Sequence, residues 1–131
     1  MSDTDYQALG GQFLTALGAQ DWEALRALVT ADVTWSFPGD ATISGIAEGV
    51  DAVVAKGKLI TSGGVHIELL NLLAGVSGAA VSLHNTASAD DGRSLDQYLV
   101  TVLSVRKGKV YMIDSYLSDP PKIALYFGRS T

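Results

Sequence analysis

Few side chains in this sequence have the chemistry to move a proton or to hold a metal ion near neutral pH. It contains two histidines, His66 and His84, and no cysteine, which excludes disulfides, thiolate nucleophiles and thiolate metal sites. An imidazole titrates near neutrality, so in a pocket it can take a proton from an acidic carbon or give one to an oxyanion. Neither histidine has a carboxylate at metal-ligand spacing. We therefore expect no metal ion and no cofactor.

The two histidines lie in different local contexts. His84 falls within the alternating stretch from Ala79 to Ala89, which is typical of a strand. His66 follows Gly63-Gly64 near the start of another strand, where a surface position is expected. The next acidic segment, Asp90-Asp91-Gly92-Arg93, has the composition of a hairpin turn rather than of a site. His84 is therefore the main candidate for acid/base chemistry.

Composition limits the class of protein. The 131 residues are 47% hydrophobic, enough for one core, and predict a single domain over 1–131. A net charge of −5 with nine dispersed Lys and Arg residues argues against a nucleic-acid partner. No apolar stretch approaches the length of a membrane span, so no membrane partner is expected. The acidic start and the lack of cysteine favour a cytoplasmic location.

The first half of the chain has mostly helical spacing. Apolar residues recur with the period of a helix from Thr4 to Leu17, from Trp22 to Val29 and from Val50 to about Ile60. A strand is predicted over Val33–Phe37 because its side chains alternate up to Pro38-Gly39. The polar, glycine-containing segment Asp40–Gly49 is expected to be a loop.

The second half changes to the period of a sheet. It predicts four strands joined by glycine-containing turns, over Val65–Leu73, Ala79–Ala89, Leu95–Arg106 and Val110–Leu117. Helices followed by an antiparallel meander predict an α+β fold, with three N-terminal helices packed on a curved, mainly antiparallel sheet. The apolar tail Ile123–Phe127 must also pack against something.

Several stretches carry a family resemblance. They are Ala19–Leu25 with Ala31–Trp35, Phe37-Pro38-Gly39, Ser44-Gly45 with Glu48–Val53, Gly92–Leu95, and Gly108–Val110 through Tyr116 to Asp119. With the order of elements, they resemble the nuclear transport factor two-like superfamily, and most closely its SnoaL-like branch of bacterial polyketide cyclases. The resemblance implies a conical half-barrel closed by the helices, with a hydrophobic small-molecule pocket inside. This fold hosts several enzyme classes and non-catalytic modules, so it does not fix the function.

Aligning the chain with that family predicts which side chains line the cone, because every second residue of a strand shares a face. One β-bulge would turn part of this set to the other face. The inward side chains expected on the strands, with three aromatic side chains closing the cone, are Ser82, His84, Thr86, Gln97, Leu99, Thr101, Tyr111, Ile113, Ser115, Phe13, Trp35 and Phe37.

The resemblance also excludes two known chemistries. Ketosteroid isomerases of this fold need a carboxylate base and two acidic hydrogen-bond donors, and the equivalent positions here are Phe37, Phe13 and Thr101. Limonene-type epoxide hydrolases need two aspartates and an arginine, with an asparagine and a tyrosine helping to hold the water. The first three positions correspond to His84, Ser115 and Ser82, and the first strand supplies Phe37 and Trp35 instead. Neither mechanism is expected.

Three hypotheses stay open. In SnoaL-like cyclases a His and an Asp act as an acid/base pair, which implies His84 and Asp114 in a cofactor-independent cyclase or isomerase of a hydrophobic, oxygenated, polyketide-like substrate. Asp114 lies one residue before the expected position, Ser115, and a regular strand would turn it outward. Alternatively, the cone is a non-catalytic ligand-binding or dimerisation module in which His84 makes only a structural hydrogen bond. An atypical epoxide hydrolase or dehydratase would need a bulge to turn Asp114 inward.

The resemblance implies a homodimer as well. Proteins of this fold commonly pair through the outer face of the sheet, and the residues expected there are largely apolar. They are Tyr98, Val100, Val102, Val110, Met112 and Tyr116.

Overall fold

The computed structural model describes residues 1–130 and has four helices against one six-stranded sheet. In chain order the elements are α1 (Asp3–Gly18), α2 (Trp22–Leu28), β1 (Val29–Phe37), β2 (Gly45–Glu48), α3 (Val50–Ser62), β3 (His66–Ala74), β4 (Gly78–Ser88), β5 (Ser94–Arg106), β6 (Lys109–Leu117) and α4 (Pro120–Phe127).

The sheet is mainly antiparallel, with strand order β2-β1-β6-β5-β4-β3. The exception is the pairing of β1 with the last strand, β6, which is parallel and has Thr34 opposite Met112. The α+β fold and the curved, mainly antiparallel sheet are thus confirmed. Two elements were not predicted: β2 lies within the expected loop, and α4 covers the apolar tail. β1 is also longer than predicted, because it begins as soon as α2 ends.

The first two helices begin at residues whose side chains cap them. Ser2 and Asp5 form a reciprocal capping box at the start of α1, and the Asp21 side chain accepts a hydrogen bond from the Ala24 N–H at the start of α2. These caps satisfy backbone N–H groups that have no partner within the helix. They also fix where each helix starts relative to its buried residues, including Phe13 in α1 and Leu25 in α2.

Two glycines allow close approach between elements. A Cβ atom on Gly10 of α1 would lie 3.0 Å from Leu72 Cδ1 of β3. One on Gly57 of α3 would lie 2.9 Å from the ring of Trp22 in α2. A larger residue at Gly57 would force the Trp22 ring or the helix to shift, whereas one at Gly10 would require the Leu72 side chain to move slightly. The helices therefore pack closely enough to close the concave side of the sheet.

Lys56, on α3, is a buried amine that fastens the segment between β1 and β2. Its side chain is only 7% exposed, and Nζ donates to the carbonyl oxygens of Ile43 and Gly45 at 2.7 and 3.0 Å. Nζ also lies 5.8 Å from the centroid of the Phe37 ring. Burial lowers the pKa of the Lys56 ammonium from 10.5 to about 8, because the charged form loses hydration.

This pKa difference predicts how stability depends on pH. Between about pH 8 and 10.5 the unfolded chain holds a proton on Lys56 that the folded chain has released, so the free energy of unfolding should rise with pH over that window. Urea denaturation at pH 8, 9 and 10 measures it. In Lys56→Met this part of the rise should vanish. Equal pH slopes in the two proteins would contradict the assignment.

Candidate functional site

A cavity lies between the concave face of the sheet and the helices. Its wall is almost entirely apolar, and the aromatic and aliphatic side chains on it are Phe13, Trp35, Phe37, Phe127, Leu14, Leu17, Ile43, Ile60, Val65, Ile67, Leu83, Leu95, Leu99 and Ile123. The polar side chains on it are Asn85, Gln97, Thr101 and Ser115. Among the residues of the chain that the structure describes, no Asp, Glu, His, Lys or Arg lines this wall.

The indole and hydroxyl groups of the wall bond to one another. Trp35 Nε1 donates to Ser115 Oγ at 3.1 Å, and Ser115 Oγ lies 3.0 Å from Thr101 Oγ1. Ser115 and Thr101 lie opposite each other on β6 and β5, and both are buried. Since cross-strand neighbours on one face have adjacent side chains, the pair forms directly from the strand register.

Gln97 uses its amide to anchor the turn that leads into α4. Its Oε1 accepts from Ser118 Oγ and from the Asp119 backbone N–H, each at 2.8 Å. Its Nε2 donates to the Asp119 carbonyl oxygen at 2.7 Å. Because α4 carries Ile123 and Phe127 onto the cavity wall, this anchor closes one side of the cone.

Asn85 lies opposite Gln97, on β4, and differs from it in one respect. Its Oδ1 is buried and has no hydrogen-bond partner within residues 1–130. A buried acceptor without a partner costs about 1–3 kcal/mol, and most buried polar groups in native proteins avoid it. Asn85 was missed from the sequence because the strand was assigned to the opposite face.

The predicted inward placement of Ser82, His84 and Thr86 is wrong. On β4 the interior face carries Val81, Leu83 and Asn85, which lie opposite Thr101, Leu99 and Gln97 on β5. The sequence suggested a four-residue turn over Asp90–Arg93, but Ser88 pairs with Ser94 and leaves five residues in the loop. A difference of one residue transfers every side chain of a strand to the other face.

His84 therefore lies on the outer face of the sheet. Its Nε2 is 2.6 Å from Asp96 Oδ1, its Nδ1 is 3.8 Å from Glu68 Oε1, and its ring stacks on Tyr98 with centroids 4.3 Å apart. Glu68, His84 and Tyr98 form one row across β3, β4 and β5. The imidazole thus has surface partners, and the sheet separates it from the cavity.

Asp114 is on the outer face as well. It lies opposite Ser36 across the β1–β6 pair, and Ser36 Oγ donates to its Oδ1 at 2.5 Å. A bulge does occur in β6, but at Tyr111, which comes before Asp114 and has no partner opposite it. The Tyr111 ring lies under the Arg106 guanidinium at 4.9 Å rather than on the cavity wall. Ile113 is buried in the core beside the cavity without lining it.

The remaining predicted binding residues lie on the wall. They are Phe13, Trp35, Phe37, Gln97, Leu99, Thr101 and Ser115. Three of these residues are on β5, whose inward face was predicted correctly. The inward face of its neighbour β4 was not.

The cavity is small, and one part of its wall is only one side chain thick. Its free volume is about 30 Å³, whereas an engineered protein cavity of about 150 Å³ accommodates benzene. Leu14, Val65 and Ile67 line both this cavity and a groove on the surface between α1 and β3. Movement of these three side chains would join the groove to the interior.

Two further properties concern residues 1–130. They contain no group of three or more His, Cys, Asp or Glu residues arranged to hold a metal ion. None of their helices combines the length and the apolar character that crossing a membrane requires.

Residues 11–113 match the family model of the SnoaL-like domain. Among curated proteins, an uncharacterized protein of Mycobacterium tuberculosis is 24% identical over 108 residues, which cover 80% of this chain and 82% of that protein. The same values hold for a protein of Mycobacterium bovis. Both relatives are uncharacterized and add no activity.

Solved structures share the fold over nearly the whole chain. An NTF2-like protein from Burkholderia xenovorans LB400 is 25% identical with a TM-score of 0.83, covering 97% of this chain and 98% of that one. Bal32a, from a soil-derived mobile gene cassette, is 22% identical with a TM-score of 0.87, covering 95% and 98%. TerC, co-crystallized with polyporic acid, is 14% identical with a TM-score of 0.75, covering 87% and 92%. Bal32a and TerC, at these low identities, show the fold alone.

The hydrogen bond between Trp35 and Ser115 yields a prediction about stability. Ser115→Ala leaves the buried indole N–H without its acceptor, and we expect the free energy of unfolding to fall by about 1–3 kcal/mol. Thr101→Val is the matched control, because it keeps the Trp35–Ser115 bond and should cost only about 1 kcal/mol. Urea denaturation measures both. A larger loss in Thr101→Val than in Ser115→Ala would contradict this account.

Proposed function

Since the chain belongs to the SnoaL-like domain family, we propose that it is a small-molecule-binding protein whose cone holds a compact, uncharged, mainly apolar ligand. The observation that carries the proposal is the cavity wall, on which aromatic and aliphatic groups surround two amides and two hydroxyls with no titratable side chain among the described residues. Burying a charge in such surroundings without a counter-charge is costly. The wall therefore favours a neutral ligand.

The positions of His84 and Asp114 favour binding over proton transfer. Both side chains point away from the cavity and are paired on the outer face, with Asp96 and Ser36. The cyclase or isomerase hypothesis depended on an imidazole inside the cone, and the epoxide-opening alternative on an inward Asp114. The ligand-binding alternative needs neither, and pockets of this kind combine an apolar wall with a few placed polar groups.

Entry of the ligand requires movement of the wall. We propose that Leu14, Val65 and Ile67, which separate the cavity from the groove between α1 and β3, rotate to admit it. The ligand itself then supplies the apolar contacts that keep the expanded cavity open. Because the expanded conformation has a small population without ligand, the apparent affinity is lower than the affinity of that conformation itself.

The proposal predicts selective binding of a neutral aromatic probe. In Trp22→Phe, which leaves Trp35 as the only tryptophan, toluene should shift the indole N–H NMR signal of Trp35 saturably, and benzoate should bind at least about tenfold more weakly because its charge is desolvated. The same titration in Leu99→Phe should give weaker binding, since the larger ring fills the cavity.

The matched control is His84→Gln on the outer face, which should leave the affinity for toluene unchanged. Loss of binding in His84→Gln, or equal affinities for toluene and benzoate, would contradict the proposed function.

We also propose that the chain forms a homodimer through the outer face of the sheet. Tyr98 and Tyr116 are 54% and 64% exposed. The half-buried Val100 lies opposite Tyr116, and the half-buried Val102 and Met112 are further along the same face. Exposed aromatic and aliphatic side chains grouped on one face are typical of a protein–protein contact. Val110, which was expected on this face, is instead fully buried, because the bulge at Tyr111 changes the alternation.

The dimer predicts a mass of twice the 13.7 kDa of one chain by light scattering. Tyr116→Glu should shift the protein to the monomer, because dimerisation would bury the new carboxylate. Leu125→Glu is the control, since Leu125 is exposed on α4, which packs on the cavity side of the sheet rather than on its outer face. A monomeric wild-type protein at high micromolar concentration would refute the dimer.

A further inference from the structure

Two side-chain amides face each other inside the cone, and only one of the two amide oxygens has hydrogen-bond partners among residues 1–130. Asn85 and Gln97 are directly opposite in the β4–β5 register, and both line the cavity. The Gln97 oxygen accepts two hydrogen bonds from the turn before α4, and its nitrogen donates a third. The Asn85 Oδ1 accepts none from residues 1–130.

The other polar groups of the wall do not provide a partner for Asn85. Trp35, Ser115 and Thr101 bond to one another, and Leu99 lies between Gln97 and Thr101 on the interior face of β5. Asn85 therefore presents an acceptor to the interior. An acceptor in an apolar cavity discriminates strongly between a ligand that donates a hydrogen bond and an analogue that lacks the donor, because the analogue leaves the buried oxygen unpaired.

Resting on the ligand-binding function proposed above, we propose that Asn85 determines specificity and that the ligand is a neutral molecule with an O–H or N–H group directed at Asn85 Oδ1. The remainder of the ligand is apolar and contacts the aromatic side chains of the wall, including Trp35 and Phe37. A phenol or a cyclic alcohol has this chemistry. The corresponding methyl ether, with the same ring but no donor, does not.

The test compares phenol with its methyl ether, anisole, in the wild-type protein and in Asn85→Leu. Binding is followed by the NMR signals of the cavity wall. In the wild type we expect phenol to bind about tenfold more tightly than anisole, because anisole leaves the buried Asn85 oxygen unpaired. In Asn85→Leu, which has a similar volume and no acceptor, the preference should fall below about threefold with the affinity for anisole retained.

A measurement on the wild type alone covers the case in which Asn85→Leu does not fold. Phenol should shift the side-chain carboxamide signals of Asn85 more than anisole does, because phenol adds a hydrogen bond to the ring-current effect that both bound rings exert on the cavity wall. An equal effect of the two probes on these signals would overturn the inference, as would a preference for phenol that persists in a folded Asn85→Leu protein.

The outcomes also separate this inference from the proposed function. If toluene, anisole and phenol all bind in the cavity with similar affinity, the proposed ligand binding is supported and the proposed role of Asn85 is refuted. That result would mean that water satisfies Oδ1 as well as the ligand does. If none of the three perturbs the Trp35 indole signal, the cavity is not a binding site and both proposals fall.

Discussion

The buried amide of Gln97 joins three parts of the molecule whose arrangement defines the cavity. It lies in the middle of the sheet on β5, is 1% exposed, and bonds to Ser118 and Asp119 where the chain leaves β6. That turn directs α4 back across the open edge of the cone, where Phe127 contacts the wall. Without the amide, the N–H and the carbonyl oxygen of the half-buried Asp119 would lose their partners, which costs more than the net energy of one hydrogen bond.

Much of the fold could be predicted from the spacing at which hydrophobic residues recur along the chain. The long strands β3 to β6 and the helices α1 and α3 begin and end within a few residues of the predicted positions, because each has enough residues to display a clear repeat. The exceptions are short. β2 has four residues in a glycine-containing segment, and α4 has eight residues that are apolar on nearly every side. Neither length can separate a helix from a strand by periodicity alone.

The candidate site was predictable only where side-chain direction did not depend on loop length. Alignment with the family placed the wall positions of β5 correctly, whereas those on β4 also depended on whether the hairpin loop has four or five residues. Gly92, with φ of 91°, and the Ala89 N–H bond to the Arg93 carbonyl settle that choice through backbone geometry that the residue types did not fix. Lys56 was overlooked for a different reason, since a lysine on a helix is usually solvated.

The parallel pairing of β1 with β6 has a consequence for how the chain acquires its structure. β1 comes from the first third of the sequence and its neighbour β6 from the last quarter, so the central part of the sheet cannot assemble until almost the whole chain has been synthesised. Until then Trp35 and Phe37 belong to an uncovered apolar strand with a free edge. Contacts so distant in sequence slow folding, and exposed edges promote aggregation. During synthesis, the β1 aromatic side chains that later line the cavity therefore lack their neighbouring strand until β6 has been made.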